Sequence, residues 1–262
     1  MTFEIFGHRG TNPYTDHSAE AHAAAMDWGA DWAEFGIQMT SDGVLVVAHD
    51  TGTIPSTTYA KLMASSPGTM TLNQALDLVA AKEAETGREI KVSIEMKNPA
   101  THAAKGLDMP KALVDLLVAR GITDDADISV SSFDIASTQR LANTLYPAAG
   151  ISTSIDYVDY DFSNVNLANV AKWADTISVN TPYITADLVA KAHAAGLLVS
   201  AWTHTGTGEE LQSLIDMGVD GVYSDNTRVA REYVDSAEGF NTVYGGTRTV
   251  MTSSMACRAA TV

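Results

Sequence analysis

Six residues beside three apolar runs carry most of the reactive chemistry this sequence offers. Gly7-His8-Arg9-Gly10 follows the first run and Glu34 lies in the second. A hairpin-like return through Asp42-Gly43 delivers His49-Asp50, and Ile94-Glu95-Met96-Lys97 ends the next run. Taken singly, each has an ordinary account: a histidine after a strand is more often a hydrogen-bonded structural residue, and an arginine or glutamate a surface charge or ion-pair partner. Together, two His, one Arg, one Lys and two Glu at the C-terminal ends of the first three strand segments are a costly concentration of charge. It makes sense around an anionic ligand, with a divalent cation balancing the carboxylates. The set suits cleavage of a phosphodiester. Glu34 and Glu95 supply hard oxygens for Mg²⁺ or Ca²⁺. Arg9 offers a planar fork to two phosphate oxygens, and Lys97 adds a point charge. His8 and His49, with an unperturbed pKa near ~6.5, can divide the proton transfers, one accepting from the nucleophile and one donating to the alkoxide.

The elements that must position these residues alternate along the chain. Runs rich in Val and Ile occur at Phe3–Phe6, Trp32–Met39 with Val44–Ala48, Ile90–Ile94, Ile128–Ser131, Gly150–Ser154, Thr176–Val179, Leu197–Ala201 and Gly221–Tyr223. Segments of helical period separate them, such as Ala19, His22, Ala23 and Met26, or Leu72, Ala75, Leu76 and Val79. Thr71 with Gln74 and Thr207 with Glu210 have capping-box spacing. Gly196 and Gly218 stand where a helix must end in a left-handed residue. About eight strand–helix alternations predict an α/β fold with a closed parallel sheet, a (β/α)8 barrel, in which strand-end residues converge on one pocket. A doubly wound sheet is the alternative, but its G-x-G-x-x-G turn is replaced by Gly7-His8-Arg9-Gly10-Thr11-Asn12. Residues 50–70, rich in Thr, Ser, Gly and Pro, read as a short loop in place of a larger cap. The expected domain is residues 1–236, with 237–262 a weakly structured tail or linker.

At 262 residues, 45% hydrophobic and 18% charged, the chain has ample material for one core. A net charge of −16 argues against a nucleic-acid partner and against docking on an anionic membrane. The lone cysteine, Cys257, permits no intrachain disulfide and no Cys-based zinc site. With no apolar run of membrane-spanning length and no leader in MTFEIFGHRG, the expectation is a soluble cytoplasmic protein without membrane insertion, export by other routes staying open. The expected partner is a small-molecule phosphodiester; the oligomeric state is not legible.

The ordered motifs resemble the glycerophosphodiester phosphodiesterases. They are His8-Arg9-Gly10, Gly29-Ala30-Asp31-x-x-Glu34, Thr40-x-Asp42-Gly43-x-x-Val46-x-x-His49-Asp50 and Glu95-x-Lys97. Met70-Thr71-Leu72, Ser132-Phe133, Gly196-x-x-Val199-x-x-Trp202-Thr203 and Gly218-Val219-Asp220-Gly221-Val222-x-Ser224-Asp225 follow. The resemblance spans roughly residues 4–230; any one motif is weak, and the ordered set is specific. It implies a TIM barrel, a magnesium- or calcium-dependent hydrolase of lipid and glycerol metabolism, releasing glycerol 3-phosphate and an alcohol. His8 and His49 would be the acid–base pair, Arg9 and Lys97 phosphate holders, Glu34 and Glu95 metal ligands, and Trp202 and Phe133 pocket walls. The family's usual scheme has the substrate's own hydroxyl attack first, giving a cyclic phosphate that water opens.

Two departures stand out. Relatives carry an aspartate two residues after the Glu34 position, where this chain has Gly36, leaving two carboxylate ligands on that face. Mg²⁺ tolerates this better than Ca²⁺. Gly36 is open to three readings: an engineered inactivating change, a natural divergent enzyme with altered metal or substrate, or a phosphate-binding relative without catalysis. A relative acting on other phosphoesters is a further alternative. Where relatives read Pro-Glu-Asn-Thr, this chain has Thr15-Asp16-His17-Ser18. Asp16 is expected to substitute for the glutamate, and His17 to be a surface residue at a helix start rather than a third functional imidazole. His204 is a candidate substrate contact, while His22, His102 and His193 are expected to do no chemistry. The short insertion predicts an open cleft that admits bulkier diesters or lysophospholipids.

Overall fold

Period-two alternation builds the sheet. In Trp32–Met39, Ala33, Phe35 and Ile37 join the main apolar core, whereas Trp32 and Glu34 belong to the opposite face. The same split recurs in the other strands: Val92, Ile94, Val130, Ile155, Ile177, Val179, Val199 and Val222 pack outward against helices, and Ser93, Glu95, Ser131, Asp156, Ser178 and Tyr223 take the other side. A computed structural model describes residues 3–49, 52–124 and 127–236. Its strands are β1 (Glu4–Gly7), β2 (Trp32–Met39), β3 (Leu45–Val47), β4 (Lys91–Met96), β5 (Ile128–Ser132), β6 (Ser154–Asp159), β7 (Thr176–Asn180), β8 (Leu198–His204) and β9 (Gly221–Ser224).

Of these nine, β3 alone pairs antiparallel, on β2; the other eight run parallel in the order β1-β9-β8-β7-β6-β5-β4-β2, and β1 pairs with β2 to close the ring. This is the (β/α)8 TIM barrel. Its interior is layered. Phe6 stacks on Trp32 at 5.0 Å and on Tyr223 at 4.3 Å, forming the lower plug. Above it, the Tyr223 hydroxyl lies 3.2 Å from Ser93 Oγ and 3.2 Å from Asp156 Oδ2, which also accepts from Ser178 Oγ at 2.6 Å. Burial pushes the Asp156 carboxyl up to about 6.

Helix starts follow the sequence signals. The Thr71 hydroxyl and the Gln74 side chain form a reciprocal capping box on Leu72–Thr86. Thr207 accepts from Glu210 N without the reciprocal bond. Gly196 and Gly218 are left-handed at φ 84°, as the helix-to-strand connections require.

Two expectations need correcting. The run at Gly150–Ser154 is not a strand: Gly150 terminates the helix Tyr146–Ala149 at φ 68°, and the strand is Ser154–Asp159. Asp156, buried inside the barrel, disguised it, because a carboxylate in the middle of a run breaks the apolar signal. Within residues 50–70, the described part is not a plain loop, since Ile54–Ser56 forms a 3₁₀ turn and Thr58 caps a helix over Tyr59–Ser65. Asp50, Cys257 and the expected tail 237–262 lie outside the described residues. Among the described residues no helix is long and apolar enough to cross a membrane.

Candidate active site

The C-terminal ends of the barrel strands open on a cavity of about 420 Å³, and His8, Arg9, Glu34, His49, Glu95 and Lys97 all line it. Phe133 and Trp202 line it too, so the structure brings together all eight residues singled out in the sequence.

The turn after β1 sets the first two. Arg9 is left-handed at φ 56° and Gly10 follows at φ 94°; a Cβ on Gly10 would lie 2.5 Å from Ala21 Cβ, so only glycine lets the helix Ala19–Asp27 approach. This fold of the chain points the Arg9 backbone N–H at Glu34 Oε2, 2.6 Å away. Arg9 Nη1 lies 3.2 Å from Asp16 Oδ2, so Asp16 steers the guanidinium instead of reaching into the site. Ring closure brings β9 beside β1, and Asp225 Oδ1 then lies 2.6 Å from His8 Nδ1. An ionised carboxylate only accepts, so a neutral His8 carries its proton on Nδ1 and leaves Nε2 as its lone-pair nitrogen. In the sequence Asp225 is only the last residue of the motif beginning at Gly218, with no role attached. Its signal is its place, one residue past a barrel strand.

His49 is held by the antiparallel return of β3. Ala48 N–H donates to Gly36 O at 2.9 Å, and Gln38 Nε2 donates to His49 O at 2.7 Å. Glu95 Oε2 and Lys97 Nζ form an ion pair of 2.6 Å, nearly buried on both sides. Burial raises the Glu95 carboxyl, Lys97 opposes the shift, and the charge of Glu34 adds to it. Glu95 Oε1 is buried without a hydrogen-bond partner among the described residues. An unsatisfied oxygen beside a second carboxylate fits a cation held by two protein oxygens, its other positions left to water and phosphate. Among the described residues no group of three or more His, Cys, Asp or Glu side chains is arranged to hold a metal.

The surface reading of His17 is overturned. This residue is only 6% exposed and left-handed at φ 59°, with its N–H donating to Arg9 O at 2.8 Å. Its ring lies beside that of His22 at 5.7 Å, and a Cβ placed on Gly36 would stand 3.0 Å from His17 Nε2 and 3.0 Å from Lys97 Cε. An imidazole thus fills the volume that an aspartate at position 36 would need. Burial, then His22, Lys97, Arg9 and His8, hold His17 well below the ordinary histidine range. His204 is also corrected: it is fully buried, with Nδ1 2.9 Å from Ser224 Oγ and Nε2 3.0 Å from Thr207 O, and it does not line the cavity. His102 Nε2 accepts from Met39 N at 3.1 Å and His193 pairs with Asp220 at 2.8 Å, both structural. Tyr160 lines the cavity and was missed, because nothing in its local pattern marks the end of β6.

Burial lowers His22 from 6.5 to about 3, so the folded protein refuses a proton that the unfolded chain takes up. The favourable state is the neutral one: stability is complete above the unfolded pKa and falls as pH drops from about 6.5 toward about 3. In this window the group alone removes about 1.4 kcal/mol per pH unit. Urea titrations of wild type and His22→Gln are expected to shift in favour of the variant by that slope between about pH 6 and pH 5; parallel curves would refute the assignment.

The model of the glycerophosphoryl diester phosphodiesterase family matches residues 7–229. The chain is 22% identical over 239 residues to the uncharacterised protein YqiK of Bacillus subtilis, covering 85% of this chain and 94% of that protein. Among solved structures, a phosphodiesterase of Oleispira antarctica in complex with the product sn-glycerol-3-phosphate superposes with a TM-score of 0.73 at 18% identity, covering 89% of this chain and 97% of that one. The glycerophosphodiester phosphodiesterase of Thermotoga maritima gives 0.66 at 18% identity, covering 88% and 97%. At such identities the structural likeness speaks for the fold, and the matched family model speaks for kinship. The chain therefore belongs to the glycerophosphoryl diester phosphodiesterase family, and its enzyme class is that of a phosphoric diester hydrolase.

Proposed function

We propose that the protein hydrolyses glycerophosphodiesters to glycerol 3-phosphate and an alcohol, with His8 and His49 as the acid–base pair. The observation that carries this reading is the His8–Asp225 contact of 2.6 Å at the edge of a cavity that also holds Arg9, Lys97 and His49. A phosphate seated between Arg9 and Lys97 has both histidines within the same cleft. His8 Nε2, the nitrogen left unprotonated by the Asp225 contact, takes the proton from the attacking hydroxyl of the glycerol moiety. The phosphorus–oxygen bond to the leaving alcohol breaks, and His49 protonates that oxygen. Water then opens the resulting cyclic phosphate with the two histidines in exchanged roles. Glu34 and Glu95 are the residues that would hold a divalent cation, Mg²⁺ or Ca²⁺, whose charge when bound offsets that of the phosphoryl oxygens. The Oleispira antarctica neighbour, bound to sn-glycerol-3-phosphate, supports a product of this kind.

A second reading, a phosphate-binding relative that has lost catalysis, is favoured by Gly36 with His17 in its place. It leaves the His8–Asp225 dyad and His49, which lines the same cavity, without a purpose. The experiment is release of glycerol 3-phosphate from glycerophosphocholine with Mg²⁺ or Ca²⁺, repeated in excess chelator. The expected result is release that the chelator abolishes. Activity surviving the chelator would remove Glu34 and Glu95 as metal ligands, and binding of glycerol 3-phosphate without any turnover would favour the second reading.

A further inference from the structure

The ring of strands divides the cavity into two unlike sectors. His8, Arg9, Glu34, Glu95 and Lys97 come from or follow the neighbouring strands β1, β2 and β4. The other sector, from β5 round to β8, presents Phe133, Tyr160 and Trp202, and among the described residues no lysine or arginine lines it. Phe133 and Trp202 meet at 5.3 Å and 85°, and Tyr160 and Trp202 at 4.9 Å and 72°, so the rings form a corner of steeply inclined faces. Trp202 is anchored through Nε1–H to Ser178 O at 3.1 Å. Its two companions remain 44% and 57% exposed, which leaves large aromatic surface in water where burial would have stabilised the fold.

Acidic residues flank both exposed rings in the chain: Asp134 after Phe133, and Asp159 and Asp161 on either side of Tyr160. Their carboxylates accept only from N–H and O–H groups, those of Ala136 and Ser137, of Tyr157 and Tyr160, and of Ser163. Among the described residues none of the three has a cationic partner, so their charge is not locally neutralised. None of the three lines the cavity itself, so their charge acts on it from a distance, disfavouring a leaving group with a carboxylate or second phosphate and favouring a cation. Aromatic faces hold best a large, weakly hydrated cation, which loses little water on contact; a primary ammonium loses more.

We infer that this corner selects diesters whose leaving alcohol carries a quaternary ammonium group, as choline does. The inference rests on the diester-hydrolase reading above and adds the chemical identity of the group released.

The test compares kcat/KM for three glycerophosphodiesters: the choline ester, its uncharged isostere the 3,3-dimethylbutyl ester, and the ethanolamine ester. The choline ester is expected to lead both others by about tenfold, the scale of a cation on desolvated aromatic faces. Tyr160→Phe, which retains the ring, is expected to keep that ratio, and Tyr160→Leu to bring it within about twofold. Each ratio is taken within one variant, so a partly folded preparation does not distort it. Equal turnover of the choline and dimethylbutyl esters by the wild type would overturn the inference, as would a preference that survives Tyr160→Leu. Silence on all three esters is a different result: it would remove the diester-hydrolase reading and this inference with it.

Discussion

Replacing His8 by alanine is expected to lower turnover of a glycerophosphodiester by at least ~10²-fold, and His49→Ala by a similar factor. The size follows from the leaving group. An alkoxide leaves poorly without a proton, and an alcohol attacks poorly while it keeps one, so loss of either imidazole exposes a full step to unassisted chemistry. Asp225 acts through His8 rather than on the substrate. Asp225→Asn preserves shape but supplies an amide that can donate as well as accept, so the tautomer with its lone pair on Nε2 is no longer enforced. That variant is expected to lose at least about tenfold in kcat with little change in KM, falling short of His8→Ala. The measurement is steady-state kinetics on all three variants, with binding of glycerol 3-phosphate as a check on the pocket. Near-normal kcat in either histidine variant would refute the acid–base assignment, and a loss confined to KM in Asp225→Asn would refute its positioning role.

Placing an aspartate at position 36 is expected to harm the protein. A Cβ there stands 3.0 Å from both His17 Nε2 and Lys97 Cε. Neither neighbour moves freely: His17 is buried and tied through its backbone to Arg9, and Lys97 is drawn to Glu95 at 2.6 Å. Gly36→Ala alone is expected to cost about 1–3 kcal/mol by overpacking. Gly36→Asp adds a carboxylate on the strand face that already carries Glu34, and is expected to cost more and to lower activity. His17→Asn shortens the side chain and suits the left-handed backbone. The double variant Gly36→Asp with His17→Asn is therefore expected to recover stability and to bind Mg²⁺ more tightly than the wild type, with a third carboxylate in place. Urea midpoints for the four members of this cycle, with Mg²⁺ titrations by calorimetry, check it. A Gly36→Asp protein as stable as the wild type would show that positions 17 and 36 are not coupled.

That coupling marks where the sequence stops being legible. Gly36 and His17 each read as an isolated departure from a family pattern, separated by 19 positions in a chain that gives no sign of their contact. Contact depends on the left-handed turn at Arg9 and His17, which drops the imidazole onto the open face of β2. Asp156 was hidden by the same kind of blindness: a buried carboxylate breaks a hydrophobic run, and the ladder of Ser178 and Tyr223 that satisfies it comes from other strands.

Some features were open to reading in one dimension because they rest on local chain geometry. Alternation with period two marks a strand, a capping residue and a left-handed glycine mark the ends of a helix, and in a parallel barrel every strand delivers its last residue to the same face. For that reason the sequence alone groups His8, Arg9, Glu34, His49, Glu95 and Lys97, and the cavity holds all six. The partner of His8 lies 217 residues away, and Tyr160 joins Phe133 and Trp202 from three different strands. Such pairs are decided by ring closure and by which face of each strand turns inward. Those are properties of the whole barrel, and no local period encodes them.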